Sequence, residues 1–158
     1  MPQKSTTRIS TAQTPSKVFI DTGGWIAVTS EDDDLHTVGA RYFEAIVRGK
    51  ARLFTSDYVL DESITGLRYD CGHAVALQFI RSIQEAERAR SLEVLNVDRR
   101  AWIEATTLFE RYADQDFSFT DCTSFVLARE AAVDAVFTFD HHFSILGFVI
   151  APVATAAA

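Results

Sequence analysis

The residues best placed to do chemistry in this chain are carboxylates that follow apolar runs. Val18-Phe19-Ile20 leads straight into Asp21, and Val136-Phe137-Thr138-Phe139 leads straight into Asp140. A short run of aromatic and β-branched residues reads as a buried strand, so each aspartate stands at a strand's C-terminal end. If the two strands are parallel neighbours, both carboxylates lie on one edge of the sheet. Two like charges there are costly unless a cation or a shared proton intervenes. A single aspartate at such a place is explained as well by a loop start or a helix cap. Its repetition after two similar runs favours a site.

Two more acids are placed to join them. Asp121 closes Ser118-Phe119-Thr120-Asp121, the spacing of a capping box, where the helix dipole alone accounts for an acid. A first-turn acid after a short loop also points out of the strand-end edge. Glu62 lies in Thr55-Ser56-Asp57-Tyr58-Val59-Leu60-Asp61-Glu62. Leu60, Ile64 and Leu67 share a helical stripe, which leaves Glu62 on the opposite side, towards either solvent or the rim of a cleft. Asp57 and Asp61 compete with it, and Asp116 is an alternative to Asp121 as an assisting acid or a bystander. Carboxylates in this number suit Mg²⁺ or Mn²⁺, hard ions that take oxygen ligands. Such an ion lowers the pKa of a water and stabilises charge on a phosphate.

The elements that must position these acids follow from periodicity and capping. Strands are expected at 18–20, 52–55, 92–97, 135–139 and 147–150. Helices are expected at 22–29, with Thr22 as a cap, at 35–48, with Gly49 as its C-cap, and from Ser56 or Asp57 to about Asp70. Further helices are expected at 74–89, with Leu77, Ile80 and Ile83 inward, at 99–112, and at 121–132, with Phe125, Ala128 and Ala132 on one stripe. Short apolar strands alternating with helices imply an α/β fold with a mostly parallel central sheet. Ligands of such sheets bind outside the carboxyl ends of the strands.

The 158 residues, 47% of them apolar, suffice for one domain with a sizeable core. Residues 1–17 hold three bases and no acid and read as a flexible basic tail, 18–150 as the domain, and 151–158 as a C-terminal tail. From residue 18 onward 22 acids face 12 bases. This excludes nucleic-acid binding by bulk positive charge, but not contact with phosphates through metal ions. The bases gather at Arg41, Arg48, Lys50 and Arg52, and at Arg88, Arg90, Arg99 and Arg100. Most are expected to sit on solvated, salt-bridged helix faces. Cys71 and Cys122 form no framework, and with His73 and His141-His142 they match no zinc spacing. No segment is long and apolar enough to span a bilayer, and the N-terminus lacks a secretory h-region, so a cytoplasmic protein without a membrane partner is expected.

Four motifs in one order carry a resemblance: Asp21-Thr22 after a strand, Thr55 to Glu62 as T-S-x-x-V-x-x-E, Ser118 to Asp121 as S-x-x-D, and Thr138 to Phe143 as T-x-D-x-x-F. The chain resembles the PIN-domain family, typified by VapC-type toxins of prokaryotic toxin–antitoxin pairs. The resemblance implies a three-layer α/β/α sandwich and a metal-dependent endoribonuclease using Mg²⁺ or Mn²⁺. It carries the family's acidic cluster onto Asp21, Glu62, Asp121 and Asp140, with Thr22, Ser118, Thr138 and Asp116 as supporting polar residues. It further implies an RNA substrate, a cognate antitoxin and a homodimer. The chain departs from the family at Gly23, where a serine is common, and at His141-His142, where a basic residue is common.

Other readings remain. A haloacid-dehalogenase-type phosphatase needs a second aspartate two residues after the first, which is Gly23 here. A receiver domain needs a lysine near the last strand, and the lysines are Lys4, Lys17 and Lys50. A PIN fold kept as a non-catalytic binding module, or a PIN nuclease outside a toxin–antitoxin pair, are the remaining alternatives.

Overall fold

The computed structural model describes residues 14–153. The remainder of the two expected tails, 1–13 and 154–158, lies outside the described residues. In chain order the elements are β1 (Lys17–Ile20), α1 (Thr22–Thr29), α2 (His36–Arg48), β2 (Arg52–Ser56), α3 (Asp57–Cys71), α4 (His73–Arg88), β3 (Leu92–Leu95), α5 (Arg99–Arg111), α6 (Phe119–Glu130), β4 (Ala135–Phe137), α7 (His142–Ile145) and β5 (Ile150–Ala151).

The strands form one sheet in the order β3-β2-β1-β4-β5, with every pairing parallel. The chain steps outward from β1 through β2 to β3, then returns across β1 to β4 and β5. Parallel crossovers are right-handed, so reversing direction moves the connecting helices to the other face. Accordingly α1 to α4 pack on one another, and α6 packs on α5 and α7. The result is the α/β/α sandwich expected from the sequence. The reversal also creates a switch point between β1 and β4, the place where ligands bind in open parallel sheets.

The core explains these elements. Val18, Phe19, Ile20, Val136 and Phe137 are wholly buried, as strands covered on both faces require. Phe125 of α6 packs edge-on against Phe117 and Phe143, with ring centroids 5.0 and 4.9 Å away. Trp25 of α1 donates from Nε1 to Thr55 Oγ1, which in turn donates to the Ile20 carbonyl, satisfying three buried polar groups in series.

Several boundaries differ from the sequence expectation. Ser16 and Lys17 join the folded part. The Ser16 N–H and hydroxyl and the Lys17 N–H all donate to Asp134 Oδ2, which fixes the start of β1. β4 ends at Phe137 rather than at residue 139, so Thr138 and Phe139 separate the strand from Asp140. The last strand lies at Ile150–Ala151, because Gly147 at φ +85° turns the chain within the span expected to be extended. On α4 the inward residues are Ala76, Phe79 and Ile83, with Leu77 and Ile80 only partly buried. α6 is buried from Asp121 through Ala128 rather than along one stripe, and Ala132 lies beyond its end at φ +51°.

Candidate active site

The four acids arrive at the switch point from four elements. Asp21 follows β1 directly, and its N–H continues the ladder by donating to the Phe137 carbonyl at 3.1 Å. It occupies the N-cap position of α1 but makes no side-chain cap bond, and Thr22, expected as the cap, is instead the first helical residue. The Asp21 carboxylate is therefore not committed to capping. α1 starts tightly against β4: a Cβ on Gly24 would lie 2.6 Å from the Phe137 carbonyl oxygen. At Gly23 the nearest neighbour would be the Phe139 nitrogen at 3.8 Å, an ordinary contact, so nothing steric demands that glycine.

Thr138 joins the two strand-end acids. Its Oγ1 donates to Asp21 Oδ2 at 3.1 Å and accepts from the Asp140 N–H at 3.0 Å. Asp140 folds over its own turn, with Oδ1 accepting from the His142 N–H at 2.9 Å. Asp121 sits in the capping box the spacing predicted: Ser118 Oγ accepts from the Asp121 N–H at 2.9 Å, and Asp121 Oδ2 accepts from the Ser118 N–H at 3.0 Å. Ser56 caps α3 by accepting from the Val59 N–H.

The electrostatics show which acids share a space. Burial pushes the Asp21 carboxyl up to about 7, with the charges of Asp121 and Glu62 adding to it, against hydrogen bonds from Thr22 and Thr138. Burial also raises Asp121, and Asp140 adds to the rise, while bonding to Ser118 and the proximity of His142 oppose it. Glu62 is exposed on α3, near enough for its charge to add to the rise at Asp21. Its rivals are elsewhere. Asp57 Oδ1 accepts from the Tyr58 and Val97 N–H groups and ties α3 to the chain after β3, and Asp61 is exposed. Asp116 is exposed, and among the described residues no hydrogen bond or ion pair joins it to the other acids.

One residue at this place was not singled out from sequence. His142 turns Nδ1 inward, 3.1 Å from Asp140 Oδ2 and 3.4 Å from Asp121 Oδ2. The neighbouring His141 is largely exposed. The only signal in the sequence was the His-His pair after Asp140, which does not reveal which ring turns inward.

The site suits a hard dication. Desolvated carboxylates that raise one another's pKa are the donor set a cation relieves. Two buried polar atoms beside them, Thr22 Oγ1 and His142 Nδ1, have no hydrogen-bond partner. Asp140, His141 and His142 also place three donor atoms within 4.8 Å of one another.

Of the basic clusters, Arg48 pairs with Glu44, Arg52 with Glu93, and Arg100 with Glu104 and Glu130, all on exposed surface as expected. Arg99 instead stacks over Trp102. Cys122 is buried, and burial beside Asp121 pushes its thiol up to about 11. Among the described residues no helix is long and apolar enough to cross a membrane.

The PIN-domain family model matches residues 18–149. The 23S rRNA-specific endonuclease VapC20 of Mycobacterium tuberculosis is 31% identical over 134 residues, covering 84% of this chain and 95% of the relative. A VapC ribonuclease of Archaeoglobus fulgidus is 30% identical over 129 residues, covering 80% and 79%. The crystal structure of M. tuberculosis VapC20, titled a sarcin–ricin loop cleaving toxin, superposes with a TM-score of 0.73 at 29% identity, over 84% of this chain and 96% of that one. DNA-bound VapBC from Salmonella typhimurium shares the fold at 20% identity, with a TM-score of 0.61 over 85% of this chain and 96% of that one. With a family match across almost the whole described chain, and relatives aligned over most of their own length, the chain belongs to the PIN-domain family, among its VapC-type members.

Proposed function

We propose that this protein is a divalent-metal-dependent endoribonuclease and the toxin of a type II toxin–antitoxin pair. The observation that carries the reading is the linkage of Asp21, Asp140 and Asp121 at the β1–β4 switch point, through Thr138 and His142. In this reading Asp21, Asp121 and Asp140 hold Mg²⁺ or Mn²⁺. Glu62 completes the set and orients or deprotonates the attacking water. Thr138 aims Asp21, Ser118 fixes Asp121, and the buried Thr22 hydroxyl stands unpartnered beside them. Asp116 has no contact that gives it a part. The ion, when bound, supplies an acidified water and charge stabilisation at the phosphate. Hydrolysis by in-line attack leaves a 5′-phosphate and a 3′-hydroxyl.

The substrate is RNA. A relative named as 23S rRNA-specific makes ribosomal RNA the first substrate to try. An antitoxin partner is supported by an apolar groove of about 1180 Å³ between α2 and α4, lined by Trp25, Val28, Phe43, Val47, Phe79 and Ile83. The groove opens by the starts of β2 and β3, away from the carboxylates. A homodimer is supported by Ile103 and Phe109, both half-exposed on α5. The cytoplasm is the expected compartment.

The test is cleavage of ribosomal RNA by purified protein with Mg²⁺ or Mn²⁺, with chelator, and with Glu62→Gln and Asp121→Asn. Both variants and the chelator should abolish cleavage while circular dichroism stays unchanged. Cleavage that survives chelation, or survives both substitutions, overturns the reading.

A further inference from the structure

His142 is placed as no other basic residue of the described chain is. Its ring and its backbone are both fixed. Phe117 packs edge-on against it at 5.2 Å, the following Phe143 is wholly buried, and the His142 N–H is bonded to Asp140 Oδ1. The backbone thus holds one oxygen of the Asp140 carboxylate while the ring lies beside the other. Nδ1 lies close to both Asp140 Oδ2 and Asp121 Oδ2, yet it is aligned for a hydrogen bond with neither. Adjacent ligands of an octahedral ion with bonds of about 2.1 Å stand about 3 Å apart. The separations of 3.1 and 3.4 Å from Nδ1 to the two carboxylate oxygens are close to that spacing, and neither is a formed hydrogen bond.

We propose that His142 is a nitrogen donor of the metal site, shared with Asp121 and Asp140, and that it selects transition-series dications such as Mn²⁺ over Mg²⁺. This rests on the metal-site reading above and adds which ion the site prefers. An all-carboxylate site suits Mg²⁺, whereas an imidazole donor favours ions of the transition series. His141 is the more exposed of the pair, with its ring 77% exposed and its Nδ1 3.8 Å from Asp140 Oδ1.

The test is electron spin echo modulation of the Mn²⁺-loaded protein, with Mn²⁺ and Mg²⁺ binding measured calorimetrically. Coordinated ¹⁴N modulation is expected in the native protein and in His141→Gln, and absent in His142→Gln. His142→Gln should weaken Mn²⁺ about tenfold or more and leave Mg²⁺ within about twofold. Bound Mn²⁺ without ¹⁴N modulation overturns the proposal and leaves the carboxylate site standing. So does modulation lost in His141→Gln, or an equal loss of both ions in His142→Gln. Failure of both ions to bind the native protein overturns the metal-site reading itself. The native spectrum decides the question of ligation even if His142→Gln does not fold.

Discussion

Thr138 and Asp21 are locked together across the seam between β1 and β4: the threonine hydroxyl donates to the carboxylate at 3.1 Å, and both side chains are almost wholly buried. The same hydroxyl accepts from the Asp140 N–H, so one oxygen sets two of the four acids. Thr138→Val keeps the shape and removes this bond. It should cost about 1–3 kcal/mol, since the Asp140 N–H loses its partner. Cleavage should fall about 10–100-fold, as for groups that orient metal ligands. Chemical denaturation and initial cleavage rates check the two effects separately.

Asp21→Asn should abolish metal-dependent cleavage and at the same time stabilise the metal-free fold. The native carboxyl is held up to about 7 by burial and by two neighbouring acids, so its charge opposes folding at neutral pH. Removing that charge should gain on the order of 1–2 kcal/mol, or several degrees in Tm. A variant that is inactive and also less stable would mean that the acids do not crowd one another.

The same shift sets a pH dependence. Asp21 has a folded pKa above its ordinary carboxyl value, so folding takes up protons, and stability is greatest when the group is protonated in both states. Metal-free protein should lose stability as pH rises from about 4 to about 7, with no further loss from this group above that. Saturating divalent ion should flatten the slope. Thermal melts in chelator and in Mn²⁺ across this range test it.

Adjacent glycines should respond oppositely. Gly24→Ala drives a Cβ into the Phe137 carbonyl and should cost about 1–3 kcal/mol, with β4 displaced and activity reduced. Gly23→Ala meets only ordinary contacts and should be neutral or stabilising by up to about 1 kcal/mol, because alanine favours helix. Paired denaturation curves distinguish the two.

What could be read from sequence divides along a physical line. Asp21 was legible because an apolar run fixes both a strand and its end. Ser118 and Asp121 were legible because capping chemistry is local. Glu62 was half legible: periodicity put it opposite the buried stripe, but only the fold brings its charge near Asp21. Asp140 was found by a partly wrong route, since its strand ends three residues earlier and a turn, not the strand, presents it. The inward turn of His142 was not legible because ring orientation depends on Phe117 and Asp121, which come from elsewhere in the chain. On α4, Phe79 rather than Ile80 turns inward because packing against Trp25 decides the helix's rotation, and composition cannot.

The order of the strands has a consequence for synthesis. A ribosome that has made the first hundred residues has made Asp21 and Glu62, but neither Asp121 nor the strand that pairs with β1 on its far side. The Asp21 N–H then lacks the Phe137 carbonyl, and its carboxylate lacks the Thr138 hydroxyl. The cutting edge is assembled only when the last fifth of the chain closes onto the first. A nascent chain, or one that ends before β4, lacks these contacts.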